Sequence, residues 1–559
     1  MESASINDVA NQLFKHLMAI DPLGATLMGD RSYDNELARL NREKETEFKQ
    51  QRALIRESAK LIDVSSLTEQ ERITREVIIS QISCMDDMFA ADATSYTVSA
   101  FPVAPASVLL SFLRMVGITN QTEAANYLER LKQIPRYLSE ASNELARGRE
   151  LGRHPVHSLV LGAIDQINKF LEDPIASMTP TVSEEFLDKD EFQTNLSQIV
   201  HKDVVFAFTQ FRDDLANVVL PQARPDEQAG LVHFAGGLEM YEGLVRAHTT
   251  TNLTPEILHH RGLEIVKNVQ AEFVEIGQRI FGTSEIVKIF EHMSSDPDLR
   301  WQTSEQMFDA VTDVVRRAEA EAPKWFGTLP SVRCEVNPIP EVEAESSGMA
   351  YYMPAAMDGS RPGTYYQNVS HPTERRVYDL ESVAFHEAVP GHHFQLQLAL
   401  EMKDVPALRR LTLFTAYAEG WGLYSERLAF EMGLYSSDVQ VLGMLAADVW
   451  RASRLVVDTG MHAFGWSRQQ AIDYMATNTP APLDEIVSEV NRYIAMPAQA
   501  VSYMTGRLEI ERLRKEAQDA LGDKFDLKEF HDAVLASGAL PLDVLAHNIQ
   551  STFRNSEIA

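Results

Sequence analysis

The stretch Phe385-His386-Glu387-Ala388-Val389-Pro390-Gly391-His392-His393-Phe394 places three imidazoles and one carboxylate within eight residues. Zinc-dependent hydrolases build their metal centres from this donor set. The spacing, however, does not fit a straight helix. In the common arrangement two histidines stand four residues apart, about 40° from each other around the axis, with the glutamate beside them as general base. Here the fourth position is Pro390, which ligates nothing. His392 stands about 120° off the line of His386, and His393 is in line but roughly 10 Å along the axis. Proline offers no N–H to the carbonyl four residues back and clashes with it, so the helix must bulge or restart at Val389-Pro390. With those two residues looped out the run reads His-Glu-Ala-Gly-His. The expected ligands are then His386 and His392, with Glu387 as the base. A plain helix with buried histidines is the competing reading, and the density of donors disfavours it.

Upstream, Val377, Leu380, Val383 and Ala384 recur on one side of a helix that delivers His386 and Glu387, and Ser370-His371-Pro372 is suited to cap it. Before it the pattern turns to short strands. Val332, Cys334 and Val336 alternate, Ala350-Tyr351-Tyr352-Met353 reads as a strand, and Thr364 to Val369 as its return across the turn Asp358-Gly359-Ser360-Arg361-Pro362-Gly363. A strand edge beside a metal helix suits an extended peptide, which makes Arg361, Tyr365 and Tyr366 candidate substrate contacts.

Two histidines need a third protein ligand, with one position left open. A helix expected from Pro406 to Met432 offers Glu419 and Glu426 on nearly one face. Gly420 and Gly422 flank Trp421 there and weaken the helix, which is the usual consequence of another backbone approaching closely. Glu419 is therefore the expected ligand and Glu426 the acceptor for the far N–H of a ligating imidazole, with His393 and Asp458 as further supports. Farther on, Arg451, Arg454, Asp458 and His462 share one helix face, readable either as a buried salt-bridge network or, for Arg454 and His462, as substrate contacts. Tyr493 and Tyr503 are both candidates for a phenol that hydrogen-bonds a developing oxyanion, and Tyr493 also for a substrate contact.

The bulk numbers set the limits. A chain of 559 residues with 45% hydrophobic and 24% charged residues forms a sizeable globular core. A net charge of −30 argues against a nucleic-acid backbone or an anionic membrane as partner. Two cysteines, Cys84 and Cys334, make neither a disulfide framework nor a thiolate metal site. The first residues lack a basic and apolar signal pattern and no run approaches a membrane span, so a cytoplasmic location is expected. From Val9, Leu13, Phe14 and Leu17 onward the first half reads as successive helices, interrupted at Asp21-Pro22-Leu23-Gly24, at Ser95 to Pro105 and at Phe234-Ala235-Gly236-Gly237. Residues 1–325 are expected to form a helical shell and cleft wall, and 326–559 the catalytic region of one continuous body.

Taken together, His386-Glu387-Ala388-Val389-Pro390-Gly391-His392-His393, Glu419-Gly420-Trp421, Arg454 to Gly460 with His462, and Arg492-Tyr493 with Gln499-Ala500 and Tyr503 resemble the largely bacterial domain-of-unknown-function family 885. The turn at Asp358 to Gly363 and the early Pro22, Gly24-Ala25-Thr26, Gly29 and Tyr33-Asp34 fit the same family, so the resemblance covers nearly the whole chain. That family resembles the helical zinc metallopeptidases, which include carboxypeptidases, oligopeptidases and the angiotensin-converting-enzyme type. The resemblance implies a mainly α, cleft-bearing body with a small sheet edge beside the zinc helix. It also implies one zinc ion on His386, His392 and Glu419, with Glu387 as base and Tyr503 at the oxyanion. Many members are lipoproteins or secreted, whereas this sequence shows no lipobox. The expected activity is zinc-dependent hydrolysis of peptide or peptide-like amide bonds in short substrates. The alternatives are an amidase for a small metabolite and a non-catalytic metal-binding helical protein.

Overall fold

A computed structural model describes residues 5–556, apart from 185, 187, 345–347, 357, 358 and 360. The fold is mainly α, as expected, with one three-stranded and one two-stranded sheet among the described residues. The first helix runs Ile6–Ile20 under a Ser5 and Asp8 capping box and stops at Asp21, whose side chain then caps a second helix, Pro22–Met28. None of the described helices is long and apolar enough to cross a membrane.

The core divides unequally. One cluster belongs to residues 23–219 and packs Leu109, Tyr127, Leu138, Ile167 and Phe208 together. The largest cluster joins both ends of the chain, setting Ile6, Val9 and Leu13 with Val311, Phe385, Trp421, Phe530 and Leu545. A third packs Tyr241 and Phe273 against Leu442, Leu445 and Met504. The segments carrying the histidines and glutamates are thus enclosed by apolar side chains drawn from both sides of position 325. Cys84 and Cys334 are free, and burial pushes both thiols up to about 12. They behave as small apolar side chains.

Three strands lie beside the site: β1 (Glu335–Pro338), β2 (Ala350–Met353) and β3 (Thr364–Gln367). Their order is β1-β3-β2, with β1 parallel and β2 antiparallel to β3, so β2 is an edge strand. Asp358 and Ser360 of the expected turn lie outside the described residues. Six helices carry the side chains that matter below: α1 (Asp379–Glu387), α2 (His392–Glu401), α3 (Thr415–Glu431), α4 (Asp438–His462), α5 (Leu483–Ala495) and α6 (Ser502–Leu521).

Two boundaries differ from the sequence pattern. Ser370-His371-Pro372 does not cap α1, which begins at Asp379 after a short 3-10 turn at Pro372–Glu374. The intervening backbone is committed elsewhere, since Trp301 N–H donates to Arg375 O and Val377 N–H to Leu299 O, forming an isolated bridge. The helix expected from Pro406 to Met432 is divided into Ala407–Leu411 and α3. Its first piece is tied down separately by buried Arg409, which donates to Thr74 Oγ1, Gln70 O and Ser537 O.

Candidate metal centre

Pro390 breaks the helix as its missing N–H requires. Helix α1 ends at Glu387, the backbone turns sharply at Ala388 and Gly391, and α2 begins at His392. A Cβ on Gly391 would lie 1.8 Å from His386 O, so only glycine fits where the chain folds back. Helix α3 pins this excursion, because Trp421 Nε1–H donates to Pro390 O at 3.0 Å and Ser425 Oγ–H reaches the same carbonyl. The consequence is that His386 and His392, badly aligned on a straight helix, have ring centroids 4.8 Å apart at 87°.

Helix α3 supplies the third donor. Glu419 Oε2 is 3.4 Å from His386 Nε2 and 3.6 Å from His392 Nε2, and donor atoms of the three residues all fall within 4.8 Å of one another. Tetrahedral zinc ligands at about 2.1 Å from the ion stand about 3.4 Å from each other, so this spacing fits a shared cation. The approach depends on glycine. A Cβ on Gly422 would meet His386 Cε1 at 2.6 Å, and one on Gly420 would meet Gly506 Cα of α6 at 2.5 Å.

The hydrogen bond to Glu426 fixes the orientation of the His386 ring. Its Nδ1–H donates to Glu426 Oε1 at 2.8 Å, which turns Nε2 toward Glu419. Glu426 is itself buried and accepts from Ser382 Oγ–H. Burial alone pushes the imidazole pKa down, but Glu419 and Glu426 outweigh it and raise it to about 9. Burial likewise raises Glu419, and the two imidazoles reverse that and hold it well below the ordinary carboxylate range. Three carboxylates, Glu387, Glu419 and Glu426, thus converge on two imidazoles. A divalent cation would balance that charge better than protons.

Glu387 is half-buried and follows the ligand His386 directly. Its Oε2 accepts the backbone N–H of Tyr352 at 3.1 Å, from the free edge of β2. Tyr352 in turn donates its O–H to His393 Nδ1 at 3.0 Å, and His393 Nε2–H donates to Val332 O at 3.0 Å. His393 therefore supports the edge strand and not the ligating imidazoles, which corrects its expected place. Burial pushes its imidazole down to about 4, in keeping with a neutral ring.

Tyr503 stands near the start of α6, with the Arg454 guanidinium 4.6 Å above its ring. Burial and then the charge of Glu419 raise its pKa, so the phenol stays a donor beside the cluster. Arg454 Nε–H donates to Tyr493 Oη and Nη2–H to Glu489, both at 2.9 Å.

Four other expectations are corrected by packing. Tyr493 is fully buried and donates its O–H to Glu489 at 2.8 Å, so it does not reach a substrate. His462 is fully buried, accepting from Leu231 N–H and donating to Tyr493 O, which makes it a core residue. Asp458 touches no ligand imidazole. Its Oδ1 accepts from Tyr241 O–H at 2.6 Å and from Ala498 N–H at 3.0 Å, holding Ala498 at φ 68 just before α6. Tyr365 is fully buried and donates to Gln367, away from solvent. Tyr366 is half-buried and stacks on Tyr351 at 5.1 Å, while Arg361 lines a separate cavity with Gln397, Glu401 and Arg410.

The sequence reading missed Tyr352 and Ser382. Ser382 carried a signal, since it precedes His386 by one helical turn, on the same face. Tyr352 carried none, because its role belongs to a backbone N–H.

The sequence matches, over residues 22–549, the family described as bacterial protein of unknown function (DUF885). No curated protein matches it. Among solved structures, it is similar to one described as the "putative lipoprotein" from Colwellia psychrerythraea, with a TM-score of 0.84, 26% identity, and coverage of 99% of this chain and 100% of that one. A "putative lipoprotein of unknown function" from Shewanella oneidensis shares the fold at a TM-score of 0.71 and 19% identity, with 98% and 100% covered.

Proposed function

This chain belongs to the bacterial family DUF885, and we propose that it is a zinc-dependent hydrolase of peptide or peptide-like amide bonds in short substrates. The observation that carries the proposal is the convergence of His386, His392 and Glu419, with Glu387 adjoining them and oriented by Tyr352. Zinc held by those three donors would supply a Lewis acid that polarises a scissile carbonyl and acidifies water. Glu387, fixed through one carboxylate oxygen by the Tyr352 N–H, would use its other oxygen to take the proton from water and pass it to the leaving amine. The Tyr503 phenol, held un-ionised, donates a hydrogen bond to the oxygen on which negative charge develops. Glu426 keeps Nε2 of His386 directed at the cluster. A base poised beside the donors supports catalysis over a purely structural metal site, which needs no base.

The similar structure from Colwellia psychrerythraea is described as a "putative lipoprotein", which favours a cell-envelope location over the cytoplasmic one read from the sequence. Fractionation of the producing cells, with the protein followed by antibody, decides between them. The activity is tested by metal analysis of the purified protein together with a cleavage screen of di- and tripeptides against acylated amino acids. Stoichiometric zinc with chelator-sensitive cleavage supports the proposal. A zinc-free protein, or cleavage that resists chelation, overturns it.

A further inference from the structure

Two costs of folding fall at one point of the chain, beside the start of α6. Asp458 of α4 is fully buried, and its Oδ2 has no hydrogen-bond partner. A buried carboxyl oxygen left unpaired is expensive. Ala498 sits at φ 68, ψ −13, in the left-handed region that strains any residue carrying a Cβ. The two are joined, since Asp458 Oδ1 accepts the Ala498 N–H at 3.0 Å. The same oxygen accepts Tyr241 O–H at 2.6 Å, and the Tyr241 ring stacks on His462 at 5.2 Å, so the carboxyl is itself anchored. Such costs persist only where the surroundings impose them, and these fix the direction in which the chain leaves Ala498.

The chain runs from there through the turn Gln499–Val501 into α6, where Tyr503 is the second residue. Gln499 accepts Arg492 Nη1–H through its side chain and Ser502 Oγ–H through its carbonyl, both at 2.6 Å, which stiffens the turn. Arg454, one turn before Asp458 on α4, lies 4.6 Å over the Tyr503 ring. Helix α4 thus touches this stretch at two points, the ring through Arg454 and the backbone through Asp458. On the same helix Arg451 and Arg454 border a cleft behind α1.

We propose that Asp458 is a positioning residue for Tyr503: by holding Ala498 in its left-handed conformation, it sets how the first turn of α6 presents the phenol to His386, His392 and Glu419. What the phenol does there rests on the hydrolase reading above; where it stands does not. A carboxyl that merely stabilised the core would lower stability on removal and leave Tyr503 in place.

The test places 3-fluorotyrosine at position 503 of the full chain and follows its fluorine NMR resonance. Asp458→Ala should shift or split the resonance, and Asp458→Asn, which keeps an acceptor oxygen without the charge, should leave it in place. Adding Ala498→Gly to Asp458→Ala should return it, because glycine adopts the left-handed conformation unaided. Should Asp458→Ala not fold, Tyr241→Phe with Asp458→Leu removes both partners of one bond and leaves only the Ala498 N–H unpaired. That protein should show the same shift and the same return. On a peptide that the wild type cleaves, Asp458→Ala should lower kcat about 10²-fold, as expected for a misplaced group, and should have no further effect in a Tyr503→Phe background. An unmoved resonance, a shift that Ala498→Gly does not reverse, an equal shift in Asp458→Asn, or a kcat loss undiminished in Tyr503→Phe overturns the proposal. The resonance is read without turnover, so a wild-type protein that cleaves nothing would sink the hydrolase reading while leaving the positioning role standing.

Discussion

The backbone N–H of Tyr352 and the Oε2 of Glu387 are joined by a 3.1 Å hydrogen bond, so the edge strand and the candidate base hold each other in place. That single contact ties the β2 edge, where a substrate chain would lie, to the carboxylate that would act on it. Its supports continue outward through the Tyr352 O–H, His393 and Val332 O.

Replacement of Glu387 by Gln should keep zinc and abolish activity. No ligand atom changes, and the amide oxygen still accepts the Tyr352 N–H, but no base remains. A loss of about 10²- to 10⁴-fold in kcat is expected at unchanged zinc content. Full activity in this variant would remove Glu387 from its role.

His386→Ala should lose zinc and activity together, whereas Glu426→Gln should retain activity at saturating zinc and bind the metal about 10- to 100-fold more weakly. Glu426 touches the donor set through the His386 Nδ1–H, which it accepts while Ser382 Oγ–H holds its other oxygen. A competition titration against a chromophoric chelator reads the difference, and unchanged affinity in Glu426→Gln would contradict its orienting role.

Two helical glycines should respond in opposite ways to alanine. Gly162 has open space where a Cβ would go, so Gly162→Ala should stabilise the protein by about 0.5–1 kcal/mol. In Gly422→Ala the new methyl group meets the His386 ring at 2.6 Å, and zinc affinity should fall despite the better helix propensity. Urea denaturation and zinc titration of both variants check the contrast.

Acid should destabilise the fold through buried histidines. His531 donates Nδ1–H to Trp325 O and accepts Tyr424 O–H at Nε2, and burial pushes its pKa down to about 4. The folded state then refuses a proton that the unfolded chain takes up near pH 6.5. Stability from this residue is complete above about pH 6.5 and is lost as pH falls toward 4, by about 1.4 kcal/mol per pH unit. In His531→Gln the slope of stability against pH between 6 and 4.5 should shrink by that amount, although the variant is itself less stable at pH 7. An unchanged slope would show that the imidazole is not held neutral.

Much of the site was legible because its chemistry is local. Pro390 had to break the helix, and its position left His386 and His392 as the pair that could converge. Gly420 and Gly422 signalled close approach, and each faces a neighbour at less than van der Waals distance from an added Cβ. The four residues Arg451, Arg454, Asp458 and His462 were less legible. Periodicity placed them on one face of α4 but was silent on what lies opposite. His462 and Asp458 face the packed core beside Tyr241, whereas Arg451 and Arg454 border the cleft.

The sequence by itself determined the donor types, the break between the histidines and the mainly helical body, since these follow from side-chain chemistry, backbone hydrogen-bonding capacity and apolar spacing along the chain. Only the tertiary structure decided that Glu419 of α3 reaches both imidazoles, that Tyr352 presents a backbone N–H to Glu387, and that Tyr365 and Tyr493 turn inward. Those outcomes depend on the register at which separate elements pack, and that register is set by the whole core and not by any one segment.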